Sequence, residues 1–164
     1  MSEAFPFQIV PANWRDLNEL RELENVVFEK DAWPLLELIG VLTLPGQVRL
    51  KVVFDGKMIA FAAGEPHLGS DVGWIDTIGV HPDWRRRGVA SLLLDACEQR
   101  LNRKRVRLAV RASNDGARAL YALHGYKPVD VERGYYEDGE DGVIMEKVMG
   151  EANVSRGAAE NAEK

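Results

Sequence analysis

The sequence predicts an α/β chain: a mixed sheet with helices on both faces. Three observations lead there. Residues 74–100 open as an apolar run of strand type, pass a His81-Pro82 turn, and meet RRRGVA before an amphipathic helix. The stretches VRLKVVF and MIAFAAGE flank Asp55-Gly56-Lys57, the strongest hairpin signal in the chain. Finally, VRLAVRA alternates apolar and charged residues ahead of a helix that Asn114 caps and Gly125 stops.

Taken in order, residues 7–10 read as a short first strand. Asn13 then offers an N-cap and Asp16 an acid in the first turn, with Leu17, Leu20, Leu23 or Glu24, and Val27 forming one face of a helix over roughly 13–28. Pro34 suits the first turn of a second helix, whose apolar surface is Leu35, Leu36, Leu38 and Ile39 and which Pro45-Gly46 ends. The hairpin follows, and the looser HLGSDVG leads into the strand that ends before RRRGVA. The next helix spans about 88–102, and VRLAVRA and the Asn114 helix to His124 come after it. Residues 126–133 and 142–149 form a closing strand pair joined by the acidic EDGEDG. The order is β-α-α-β-β-β-α-β-α-β-β in a single domain over 1–149. Residues 150–164 are polar and aperiodic and read as a disordered tail.

Composition narrows the function classes. At 46% apolar and 29% charged, the chain has the balance of a soluble globular protein. It has no apolar run near the ~20 residues of a membrane span, and MSEAFPFQ lacks a basic start followed by an apolar block. A cytoplasmic protein with no membrane partner is expected. The net charge of −5 argues against nonspecific nucleic-acid binding as the main role. Cys97, the sole cysteine, shares a helical face with Leu93, Leu94 and Leu101 and reads as a core residue. His67, His81 and His124 have no ligand spacing, so no metal site is expected.

The chemistry concentrates at RRRGVA. A glycine there allows close backbone approach, and a helix N-terminus directs unpaired N–H groups and a positive dipole end at one spot. An anion such as a pyrophosphate belongs there. Trp84, just before the arginines, reads as a packing residue.

Arg85, Gly88 and Ala90 fill the fixed positions of Q/R-x-x-G-x-G/A between a strand and a helix. In this the chain resembles the acetyl-coenzyme A site of the GNAT acetyltransferase superfamily. Downstream, V-R-x-S-N at 110–114, A-x-x-L-Y at 117–121, Gly125-Tyr126 and R-x-Y-Y at 133–136 resemble the ribosomal-protein N-terminal alanine acetyltransferases. The likeness covers about residues 5–149 and is thin before residue 70.

The resemblance implies the acyl-coenzyme A N-acyltransferase fold and acetyl-coenzyme A as cofactor. It implies that Ile78 and Val80 pair with the pantetheine arm beside a strand bulge, that Gly79 permits the approach, and that the Val80 N–H serves a developing oxyanion. Backbone N–H groups of Arg85, Arg86, Arg87, Gly88, Val89, Ala90 and Ser91 would hold the pyrophosphate, the arginines adding charge-assisted contacts. Asn114 has two roles open, helix cap and cofactor hydrogen bond. Tyr121 falls where the family places its general acid, and with an ordinary pKa near ~10 it keeps its proton at neutral pH.

The base is where the chain departs from its relatives. Their glutamate before V-R-x-S-N is replaced by Ala109, and the histidine or tyrosine that others carry early in the central strand is replaced by Trp74. Asp76 is expected to order a relay water, with Glu65 the alternative. Phe28 and Trp33 on one side, and Tyr135, Tyr136 and Glu137 on the other, are expected to wall the acceptor.

Near pH 7.5, deprotonating an α-amine costs under about 1 kcal/mol and a lysine about 4 kcal/mol. A weak base therefore favours an α-amine acceptor, a protein or peptide N-terminus. Two other readings stay open: a small-amine acetyltransferase acting on a polyamine, amino acid or antibiotic, and an acyl-coenzyme A-binding module without activity. A monomer and a homodimer are equally compatible with the sequence.

Overall fold

The computed structural model describes residues 7–150, so the expected tail lies, apart from Gly150, outside the described residues. Among these are seven strands and four helices in the order read from the sequence: β1 Gln8–Pro11, α1 Leu17–Val27, α2 Leu35–Thr43, β2 Val48–Phe54, β3 Lys57–Pro66, β4 Val72–Val80, α3 Val89–Leu101, β5 Arg105–Arg111, α4 Asp115–Leu123, β6 Lys127–Glu132 and β7 Gly142–Val148. The sheet runs β1-β2-β3-β4-β5-β7-β6, with β4 and β5 parallel. Two compact units divide the chain. One holds the described residues up to Glu65 with Ile75–Arg100, and the other holds Pro66–Trp74 with those from Leu101 on.

In the first unit, Asn13 caps as expected. Its side chain accepts from the Arg15 N–H at 2.9 Å and its own N–H donates to Asp16 Oδ2 at 2.9 Å. This reciprocal box closes a 3-10 turn, Trp14–Asp16, before α1 proper begins. The other Asp16 oxygen takes the Lys51 ammonium at 2.6 Å, which fastens the start of the helix to β2. Pro34 is the N-cap of α2 and so stands just outside its first turn. At the far end of α2, Arg49 Nη1 donates to the carbonyls of Val41 at 3.1 Å and Leu44 at 2.9 Å, groups the helix cannot satisfy itself.

The two helices bury Leu20, Leu23, Leu38, Val41 and Leu42 in one cluster with Met58, Phe61 and Ala63 of β3. Each large side chain in it contributes about 1.5–3 kcal/mol by leaving water. A truncation such as Leu20→Ala would cost about 2–5 kcal/mol. The β2–β3 turn has Asp55 and Gly56 both at positive φ (50° and 76°), the geometry an Asp-Gly hairpin favours.

In the second unit, β5 alternates buried Val106, Leu108 and Val110 with half-buried Arg105, Arg107, Ala109 and Arg111. It pairs antiparallel with β7 from Arg105↔Val148 to Arg111↔Gly142. The edge strand β6 is exposed throughout and carries Pro128, which an edge tolerates. Gly125 after α4 has φ +92°, the left-handed stop expected there.

Candidate active site

The end of β4 and the loop after it belong to the first unit. The His81 N–H donates to the Ile59 carbonyl at 2.8 Å, which ties the exit of β4 to β3. A 3-10 turn, Pro82–Trp84, follows. The Trp84 ring packs against Phe54 at 4.5 Å and Phe7 at 5.7 Å, so it is the packing residue the sequence suggested.

Two of the three arginines already have work within the chain. Arg85 Nε donates to the Val80 carbonyl at 3.3 Å, and the Arg87 guanidinium lies 4.8 Å from the centre of the Trp84 ring. Arg86 has φ +63° and Gly88 φ +78°, so the turn places left-handed residues on either side of Arg87. A Cβ at Gly88 would meet nothing within 4 Å, so glycine is needed there for its conformation and not for lack of room. The first ladder bond of α3 runs from the Leu92 N–H to the Gly88 carbonyl at 3.1 Å. The amides at the start of the helix precede its ladder and are available as donors. That set, with a positive helix end and exposed arginines, fits a pyrophosphate.

At Gly79 the missing side chain serves packing. A Cβ there would stand 2.9 Å from Val27 Cγ1 and 3.1 Å from Phe28 Cε2. The last residue of α1 and its C-cap thus fill the space over this face of β4 at Gly79. Phe28 lies against the strand at Gly79, which Ile78 and Val80 flank in sequence.

Asp76 reaches solvent from β4, yet its carboxyl is pushed up to about 7, first by loss of water around it and second by the negative charge of Glu65. The two carboxylates named from the sequence therefore act on one another. Cys97 is fully buried, and burial with the charges of Glu98 and Asp76 lifts its thiol to about 12, so it is no nucleophile.

Glu24 is the residue that sequence reasoning left undecided. It is 3% exposed, and burial pushes its carboxyl up to about 7. The Trp33 N–H donates to its Oε2 at 3.4 Å, and the Phe28 N–H donates to its backbone carbonyl at 2.8 Å. The buried carboxyl thus holds the backbone of Trp33, while the bond to Phe28 is the ordinary closing bond of α1. An open groove of about 410 Å³ on the other side of α1, lined by Glu19, Glu22, Leu23, Val26, Lys57, Met58 and His81, includes none of the residues read as functional.

In the second unit, Asn114 Oδ1 accepts from the Ala117 N–H at 3.1 Å, which is its cap role. Tyr121 is 8% exposed, and its ring meets that of Tyr126 at 5.9 Å. Burial, and secondarily Tyr136, push its hydroxyl up to about 12, so it stays protonated throughout the physiological range. Ala109 pairs with Ile144 and Trp74 with Arg107, and neither side chain can take a proton. Tyr135 lies over Gly142, where a Cβ would come within 2.9 Å of its ring, and its ring meets that of Tyr136 at 5.0 Å. Among the described residues, no helix is long and apolar enough to cross a membrane and no His, Cys, Asp and Glu group could hold a metal ion.

Residues 14–126 match the model of the acetyltransferase (GNAT) family. The chain is 36% identical over 104 residues to the ribosomal protein bS18-alanine N-acetyltransferase of Salmonella typhimurium, covering 60% of this chain and 69% of that one. It is 29% identical over 137 residues to an uncharacterized N-acetyltransferase of Methanocaldococcus jannaschii, covering 81% of this chain and 86% of that one. Its fold superposes on the crystal structure of the ribosomal-protein-S18-alanine N-acetyltransferase from Escherichia coli with a TM-score of 0.78 at 28% identity, over 87% of this chain and 93% of the other.

Proposed function

Because the chain belongs to the acetyltransferase (GNAT) family, and so is an acetyl-coenzyme A-dependent N-acetyltransferase, we propose that its acceptor is the α-amine of a protein or peptide N-terminus. One feature carries this reading: the family's base positions hold Ala109 and Trp74, which leaves Asp76, a carboxyl that burial and the charge of Glu65 push up to about 7. Passing a proton from an α-ammonium near ~8 to a group near 7 costs about 1.4 kcal/mol, whereas from a lysine near ~10.4 it costs nearly ~5 kcal/mol. A base of this strength handles the first and not the second. The similarity to enzymes named for a ribosomal-protein alanine points the same way.

The cofactor supplies the activated acetyl thioester. The amides of Arg86, Arg87, Gly88, Val89, Ala90 and Ser91 would hold its pyrophosphate, and the backbone of Ile78 and Val80 would line its arm. Asp76 would take the amine proton through a water. Tyr121, protonated and shielded, would be the group that gives a proton to the thiol sulfur. Phe28 and Trp33 in the first unit, and Tyr135 and Tyr136 in the second, are each candidates to receive the acceptor.

Thiol release from acetyl-coenzyme A, followed over short peptides with free or blocked N-termini and over polyamines, tests the proposal. Turnover confined to free α-amines is expected. Turnover on polyamines alone would overturn the acceptor assignment, and binding of coenzyme A without release would reduce the protein to a binding module.

A further inference from the structure

We infer that Arg111 is a positioning residue that sets acceptor affinity, by clamping the loop 133–141 to the end of β5 so that Tyr135 and Tyr136 are in place before an acceptor arrives. This deepens the reading of those tyrosines as an acceptor wall and rests on it.

Arg111 ends β5 opposite Gly142, and only 16% of its side chain is exposed. Its Nη1 donates to Asp138 Oδ2 at 2.9 Å and Oδ1 at 3.1 Å, and to Glu140 Oε2 at 2.7 Å. Its guanidinium carbon lies 4.2 Å from the centre of the Tyr136 ring. The second Glu140 oxygen accepts from the Ser113 N–H at 3.0 Å and from the Ser113 hydroxyl, so one carboxylate joins the loop to two residues of the V-R-x-S-N segment. Within the loop, the Tyr136 N–H donates to the Glu140 carbonyl at 3.1 Å and the Gly139 N–H to the Tyr136 carbonyl at 2.9 Å. Asp141 Oδ1 accepts from the Gly134 N–H at 3.0 Å, and the Asp141 carbonyl accepts from the Ala112 N–H at 3.1 Å.

A loop of this length without regular structure has many conformations to lose on binding, and ordering it in advance spares that cost. The acids of EDGEDG do the ordering. Asp138, Glu140 and Asp141 each accept hydrogen bonds from their own unit, so their charge is directed at Arg111 and backbone amides more than at a basic acceptor. The Ser113 bonds and Arg111 hold the Glu140 carboxyl below the usual carboxylate range, which keeps the clamp charged in mild acid. Lysine is no equal substitute here: its ammonium can reach the carboxylates, but it has no planar face to lay on the Tyr136 ring.

Arg111→Gln tests the inference through two readouts, neither of which requires the acceptor to be a peptide. Amide hydrogen exchange at Gly134, Tyr136 and Gly139 is expected to rise about tenfold or more, with the β5–β7 ladder unchanged. The KM for whichever amine the wild type turns over is expected to rise about tenfold, with kcat and the KM for acetyl-coenzyme A held within about twofold. Arg111→Lys should not restore the KM, and adding Glu140→Gln to Arg111→Gln should change little, since both break one clamp. If Arg111→Gln does not fold, Asp138→Asn with Glu140→Gln opens the clamp from the loop side and is read the same way. Unchanged exchange in the loop, or a fall in kcat with an unchanged acceptor KM, overturns the inference. Turnover of a non-peptide amine sinks the α-amine reading instead and leaves the clamp to be judged on the same two readouts.

Discussion

Replacing Glu24 by glutamine should remove a pH dependence from the stability of the protein. The carboxyl is 3% exposed and its folded pKa is about 7, raised from 4.5 chiefly by burial. Between those values the folded chain keeps a proton that the unfolded chain has released, so the folded state binds more protons and stability falls as pH rises. Below pH 4.5 both states are protonated and nothing is lost; above 7 both are ionised and the penalty is complete. Integrating the two titrations from pH 5 to pH 8 gives a loss of about 2–3 kcal/mol.

Glutamine cannot ionise, and its oxygen can still accept from the Trp33 N–H, so the variant should lack that loss. Every other titrating group is common to both proteins and cancels. Thermal melts at pH 5 and pH 8 provide the assay. Relative to wild type, Glu24→Gln should gain about 2–3 kcal/mol in going from pH 5 to pH 8, a relative rise in Tm of roughly 5–10 °C. A difference between the two proteins that is the same at both pH values would refute the reasoning, since it would mean that Glu24 is ionised without penalty inside the fold.

Three further outcomes follow from the same structure. Tyr121→Phe should lower kcat by about 10²-fold or more while leaving the calorimetric affinity for coenzyme A unchanged, because it removes an acid and no phosphate contact. Asp76→Asn should lower kcat/KM and abolish the rise of its pH profile near 7, leaving only the rise from the α-amine's own titration near ~8; an unaltered profile would end the role assigned to Asp76. Gly79→Ala should cost about 1–3 kcal/mol by urea denaturation, since the added methyl meets Val27 at 2.9 Å and Phe28 at 3.1 Å, and a neutral result would show that the end of α1 yields easily.

Local signals in the sequence reached most of the fold. Asp55-Gly56, the Asn13 and Asn114 caps and Gly125 act within a few residues of themselves, so their turns and helix ends could be read from composition and spacing. The motif residues around Gly88 and Tyr121 stood out instead by their resemblance to the pattern of the acetyltransferase (GNAT) family. What escaped is nonlocal. Adjacent positions on a helix share a broad buried stripe, so periodicity left Leu23 and Glu24 as alternatives, and the structure buries both. Arg111 meets Asp138 from 27 residues away and Glu140 from 29, and in the sequence those acids read only as a solvated loop. The packing of Val27 and Phe28 over Gly79 is nonlocal in the same way, since nothing nearby in sequence announces it.

The acceptor assignment is tested most directly by locating the acetyl group on a peptide that carries both a free α-amine and a lysine. After incubation with the protein and acetyl-coenzyme A, fragmentation mass spectrometry should place a single acetyl on the α-nitrogen and leave the lysine unmodified. Acetyl on the lysine nitrogen, with the α-amine untouched, would contradict the account.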